Sequence, residues 1–305
     1  MAKTYLLVHE VSYRYVTAMV DYIAAQIQKH SPLETEIHFC KSVEDISLEP
    51  NSIVYIIGDP FKKFARAKSC KYVFLNFSVL YVLGNPFKCS FSAFKLIRKK
   101  RKIFEDKLSC YDYVLDYWAE QTEVMQNKVS VPVRTFPVSV DVRQNLTDTS
   151  ARKYDVCFVG AVTPRRAKIL KKLQDLGISV SPTEGVVFEE IAEQSKIVLN
   201  LRARRSNHLE LPRIVGAFAT KSALVTEHDP ALEKFCPSDI YVSADYDDLV
   251  DQIHALLKDS SRLNDVAKRA YSWMANSHAV KCEREWQNRI FEIHAKLHEP
   301  TFRNP

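Results

Sequence analysis

The chain has 305 residues, 46% of them hydrophobic and 26% charged, which excludes a fibrous or low-complexity protein and leaves room for two globular domains. No run approaches the roughly 18 apolar residues of a membrane span. The start, "MAKTYLLVHE", has no signal-peptide core, so a cytoplasmic location is expected. The net charge of +6 is unevenly spread: between positions 60 and 110 thirteen Lys/Arg face two acids, a local +11 that leaves −5 elsewhere.

In chain order, the first half alternates short strands with amphipathic helices. Tyr5–Val8, Ile53–Ile57, Tyr72–Leu75, Tyr113–Leu115 and Val131–Phe136 read as strands, because β-branched and aromatic residues run between polar or Pro/Gly flanks. Tyr13–Lys29 and Phe91–Leu108 carry apolar residues at helical spacing. Val138–Arg152 is polar and aperiodic and reads as a linker. A second series follows, with strands expected at Val156–Val159, Ile178–Ser181, Ile197–Leu201, Ala223–Thr226 and Ile240–Val242. Helices are expected at Pro164–Leu176, Phe188–Gln194, Pro212–Thr220, Leu249–Lys258 and Ser261–Leu297. Strand–helix alternation of this kind predicts two α/β domains, 1–145 and 146–305, with parallel sheets and a helical C-terminus. Ligands would then lie at the carboxyl ends of the strands, in a cleft between the domains. The seven scattered cysteines form no CxxC pair, which fits reduced thiols better than a disulfide framework or a zinc site.

The stretch "DVCFVGAVTPRR" (155–166) stands out in a chain with six glycines. Gly160 ends a strand, Pro164 suits the first turn of a helix, and Arg165 and Arg166 follow at its positive end. Two cations there make sense if an anion lies against them. A second basic group follows the strand ending at Leu201: Arg202, Arg204, Arg205 and Arg213, the last just inside a helix opened by Pro212. Asn207 and Glu210 have capping-box spacing, so Glu210 reads either as a cap or as part of the site. His208 reads as a surface histidine. Two basic helix starts on neighbouring strands would converge on a diphosphate. Neither GxGxxG nor GxxxxGK[ST] occurs, which disfavours a dinucleotide fold of that type or a P-loop kinase.

The segments "YDVCFVGAVTPRRAKILKKLQDLG", "IVLNLR" and "LPRIVGAFATKSALVTEHDPALEKF" resemble the C-terminal domain of GT-B glycosyltransferases, nearest to the spore-maturation-protein-like (CgeB-like) group-1 transferases. "VLDYWAEQTEVM" to "FPVSVD" resembles the end of their first domain, and the same segments are more distantly similar to phage DNA β-glucosyltransferase. The resemblance implies two Rossmann-like domains facing a cleft and a nucleoside-diphosphate sugar, UDP-linked by preference, as donor. It also implies metal-independent stabilisation of the leaving diphosphate by cations and helix dipoles, with no cofactor. It implies that Arg166 (or Arg165) and Arg213 bind the diphosphate, with Gly160 and Arg202 beside them. The family's ribose-gripping Glu falls on Gly216 here, so either Glu210 or Glu227 takes that role, or the donor is held differently. An inverting reaction needs a base in the first domain, and the candidates at strand ends are Asp59, Glu10 and His9.

The +11 region lies in that first, acceptor-side domain. A basic face on Phe91–Leu108 would attract a polyanion, DNA in the preferred reading, and Tyr81 and Phe87 are aromatic candidates to support a flipped base. The expected acceptor is a hydroxymethylated pyrimidine in phage DNA, followed by a glycan or protein. A nucleotide-sugar epimerase and a non-catalytic nucleic-acid-binding module are the rival classes.

Overall fold

The computed structural model describes residues 1–13, 16–57, 64–77, 108, 110–127, 129–203 and 209–298. The expected helix Phe91–Leu108 therefore lies outside the described residues except at Leu108, as do Asp59, Tyr81, Phe87, Arg204, Arg205 and His208.

Two compact units emerge. The first comprises residues 1–14, 23–137 and 283–305, and the second 15–22 and 138–282. In the first, strands β1 (Thr4–His9), β2 (Thr35–Cys40), β3 (Ile53–Ile57), β4 (Lys71–Asn76), β5 (Tyr113–Asp116) and β6 (Val133–Thr135) form one parallel sheet in the order β2-β1-β3-β4-β5-β6. All six residues of β1 and all five of β3 are buried, so both faces are covered, and such strands read as continuous apolar runs. β2 escapes sequence reading because it is an edge strand, "TEIHFC", half-exposed along most of its length. The winding reverses between β1 and β3, which makes their carboxyl ends the topological switch point. His9 and Glu10 stand at the first of these ends; Glu10 opens the short helix α1 (Glu10–Tyr13), and α2 (Thr17–His30) follows. Helix α3 (Ala119–Gln126) covers the β5–β6 crossover.

In the second unit β7 (Tyr154–Cys157), β8 (Ser195–Asn200), β9 (Ala223–Glu227) and β10 (Val242–Ala244) are parallel in the order β10-β9-β8-β7. The strand expected at Ile178–Ser181 is reduced to one bridge, Val180 to Val156, on the outer side of β7. The winding therefore reverses between β7 and β8. Helices α4 (Pro164–Asp175), α5 (Phe188–Glu193), α6 (Leu211–Ala219), α7 (Pro230–Phe235), α8 (Leu249–Lys258) and α9 (Ser260–Trp273) follow, and a π-helical turn at Met274–His278 leads into α10 (Ala279–His298), which belongs to the first unit from residue 283 on. The core is built from Val156, Phe158, Ile169, Leu173, Ile197, Leu199, Val225 and Ile253. The linker reading of Val138–Arg152 needs a correction. The stretch has little regular structure, yet Val138, Val140 and Arg152 are buried, and Arg152 donates to the carbonyls of Ser195 (2.8 Å) and Thr220 (2.9 Å) and to Ser222 Oγ (2.8 Å). Among the described residues no helix is long and apolar enough to cross a membrane.

Candidate functional site

At the carboxyl edge of the second sheet the chain leaves β7 through Phe158, Val159 and Gly160. Gly160 has φ +135°, a conformation open to glycine, and a Cβ there would meet Arg213 Nη2 at 3.2 Å. The glycine is thus explained twice, by backbone angle and by the guanidinium lying over it. Thr163 caps α4, accepting from the Arg166 amide (3.4 Å), and Pro164 fills the first turn.

Arg166 folds back into the protein. Its Nε and Nη2 donate to the Leu201 carbonyl (2.9 and 2.7 Å) and its Nη1 to that of Ala161 (3.0 Å), which ties α4 to the end of β8. Arg213, in the first turn of α6, donates through Nη1 to Asn200 Oδ1 (2.7 Å) and through Nη2 to the Val159 carbonyl (2.9 Å). Both guanidiniums stack on Phe158, 4.9 and 5.0 Å from its ring centre. They meet at Glu210: Arg166 Nη2 lies 2.8 Å from Oε1 and Arg213 Nη2 lies 2.6 Å from Oε2. The expected convergence of residues 166 and 213 is present at the switch point of the unit. The arginine side chains are only 3% and 6% exposed, whereas that of Glu210 is 41% exposed. Burial pulls the Arg166 guanidinium below its ordinary pKa, with Glu210 opposing that shift. Burial pushes the Glu210 carboxyl up, but Arg213 and Arg166 outweigh it and hold the group below its usual value. Glu210 does occupy the N-cap position of α6, yet it makes no side-chain cap bond; its carboxylate is turned to the arginines instead.

A second cluster adjoins the first. Arg165 Nη1 donates to the Arg202 carbonyl (3.1 Å) and lies 2.5 Å from Glu227 Oε1, and its guanidinium stacks 3.8 Å from the centre of the Tyr246 ring. The Tyr246 hydroxyl returns to the Arg165 carbonyl (2.7 Å). Arg202 pairs with Asp229 (3.0 Å), which also caps α7. Arg165, Arg202, Glu227 and Tyr246 line an open cleft of about 680 Å³ with Lys168, His228, Ala244, Asp245 and Asp247. Glu227, the last residue of β9, is 2% exposed, and neither of its carboxylate oxygens has a hydrogen bond of good geometry. Asn200 Nδ2 and Arg202 Nε are likewise buried without an acceptor. Unsatisfied buried groups of this kind are costly unless something else meets them. Gly216 is buried inside α6, where a Cβ would lie 2.4 Å from the Phe188 ring, so a glutamate has no room there.

Sequence reading missed Asn200, Asp229 and Tyr246. The polar residue inside "IVLNLR" was a signal for the first; the other two depend on contacts far apart in sequence. In the first unit His9 is buried and its Nδ1 accepts the Val11 amide (3.2 Å). Glu10 is half-buried beside it. A further carboxylate was overlooked: Asp116, at the end of β5, is fully buried and accepts from Asn76, Gln121 and the Trp118 amide. Desolvation pushes its pKa up to about 6 despite those three bonds.

Residues 180–295 match the family described as glycosyl transferase-like. No curated protein is similar enough in sequence to match the chain. Among solved structures the chain is similar to Anabaena Alr3699/HepE in complex with UDP-glucose, at TM-score 0.58 and 10% identity over 96% of this chain and 99% of that one. It is also similar to WaaG, a glycosyltransferase involved in lipopolysaccharide biosynthesis, at TM-score 0.59 and 9% identity over 94% and 99%. TarM matches at TM-score 0.53 and 13% identity over 82% of this chain, which spans 55% of the length of TarM. The chain therefore has the GT-B glycosyltransferase fold, and residues 180–295, which hold Arg202, Glu210, Arg213 and Glu227, carry the glycosyl transferase-like pattern.

Proposed function

We propose that the protein is a glycosyltransferase that takes a sugar from a nucleoside-diphosphate donor, UDP-linked, and passes it to a hydroxyl. One observation carries this reading: Arg166 and Arg213, both buried, converge on a single anion beside Gly160 at the switch point of a parallel sheet. In the reaction the acceptor oxygen bonds to the anomeric carbon as the bond from that carbon to the diphosphate oxygen breaks. Charge develops on the leaving diphosphate, where two pre-placed guanidiniums stabilise it. Donor hydroxyls fit the neighbouring cleft, where the ion-paired Glu227 carboxylate has remaining acceptor capacity and Arg165 and Arg202 offer donors. HepE, similar in fold, was solved in complex with UDP-glucose, which supports the UDP-linked donor.

The second unit is thus read as the donor side and the first as the acceptor side. An inverting reaction sends the hydroxyl proton to a base there. Of the three candidates, Glu10 is the described carboxylate at the switch point, and Asp59 follows β3 at the other side of it in sequence. His9 already uses Nδ1 to accept the Val11 amide. For the acceptor we take a hydroxymethylated pyrimidine in duplex DNA, on the strength of the +11 segment.

Thermal shift with UDP, GDP, CDP and their sugars tests the donor side, and stabilisation by UDP or a UDP-sugar is expected. Stabilisation by none of them would remove the donor site. Mass spectrometry of nucleosides after incubation with hydroxymethylated and plain DNA, beside a glycan control, tests the acceptor. Sugar on the glycan alone would end the DNA reading and leave the donor side intact.

A further inference from the structure

We propose that Glu210 is an internal counter-anion: it occupies the two guanidiniums when the site is empty and must swing away for a ligand diphosphate to reach them. The inference rests on the donor-site reading above. Arg166 Nη2 and Arg213 Nη2 each give one N–H to a backbone carbonyl, of Leu201 and Val159, and the other to Glu210. The carbonyls are fixed parts of the sheet edge. The carboxylate is the exchangeable partner, half-buried where the two guanidiniums are fully buried. It spans both cations with one charge and two oxygens, the same arrangement that a phosphoryl group supplies.

The physical need for such an anion is clear. Two arginines stacked on the same Phe158 ring repel each other, and burial penalises both charges. Without ligand and without Glu210 the arginine pair would hold two uncompensated charges. With ligand, Glu210 is redundant and competes with the incoming phosphates. Its return would also help expel the nucleoside diphosphate after transfer, a step that limits turnover in many enzymes. This assigns Glu210 a role opposite in sign to gripping the donor ribose.

Calorimetric titration of the native protein and Glu210→Gln with UDP and with inorganic pyrophosphate, at fixed ionic strength, decides the matter. Displacement predicts that both ligands bind Glu210→Gln more tightly, by about tenfold, and that UDP dissociates more slowly. The variant without ligand should melt lower and gain more from ligand than the native protein. Glu210→Asp, whose shorter carboxylate spans the pair less well, should shift affinity the same way and serves if Glu210→Gln does not fold. Weaker UDP binding with pyrophosphate unchanged would show that Glu210 grips the nucleoside, overturning the inference while leaving the donor site standing. Equal affinity in native and variant proteins would overturn it as well. Failure of both ligands to bind either protein would remove the donor site itself.

Discussion

The two arginine clusters at the edge of the second sheet are neighbours in sequence and opposites in chemistry. Arg166 and Arg213 are closed: every contact described for them ends on a carbonyl, an amide oxygen, the Phe158 ring or the Glu210 carboxylate. Arg165 and Arg202 border an open cleft whose floor, Glu227, is ion-paired with Arg165 and makes no hydrogen bond of good geometry. Consecutive residues on one helix thus feed two different tasks, because positions 165 and 166 point to different sides of a single turn. The closed pair is built to hold charge in place; the open pair leaves hydrogen-bonding capacity for a ligand that brings hydroxyls.

The sharpest way to break this contrast is Arg166→Ala. Removing Arg166 strips its three bonds to the Leu201 and Ala161 carbonyls and its bond to Glu210, at about 1 kcal/mol of stability each, read by denaturant unfolding. UDP binding should be abolished, and Arg166→Lys should keep the fold better while still losing the bidentate geometry. A loss within about 1 kcal/mol would mean the pair is not a structural tie.

The next prediction takes the same logic to the first unit. Asp116 has its pKa raised from 3.8 to about 6. Its native state favours the protonated form, so its contribution is fully present below pH 3.8 and is lost as pH rises through about 6. Measured against Asp116→Asn, the native protein should therefore lose about 3 kcal/mol between acid and neutral pH. A pH-independent difference between the two proteins would refute a strained buried carboxylate.

The smallest effect sharpens the comparison most. Glu227→Gln should weaken binding of UDP-glucose by about tenfold, or about 1.4 kcal/mol, and leave pyrophosphate binding unchanged. Equal loss for both ligands would merge the two clusters into one site.

Much of this was legible in the sequence, for identifiable reasons. Buried parallel strands print as apolar runs, so β1, β3, β4, β8 and β9 are readable; β2 is not, because an edge strand needs no such run. Gly160, Pro164 and Pro212 mark helix starts by their backbone limits alone. The role of Glu210 was not readable, since capping-box spacing is the same whether the carboxylate turns to its helix or to arginines as far as 44 residues away. Arg152 within "VSVDVRQNLTDTSAR" was hidden for the same reason, its partners being carbonyls 43 and 68 residues distant.

Helix α10 has a bearing on how the polypeptide matures. Trp286 donates its indole N–H to the Pro137 carbonyl, and the Tyr113 hydroxyl bonds Glu292, so residues 283–298 finish the hydrophobic seal of a unit that began at residue 1. Residues 138–282 contain nearly everything the other unit needs. During synthesis the later-encoded unit can close first, while the earlier one waits, its sheet formed but unsealed, for a helix that leaves the ribosome more than a hundred residues later.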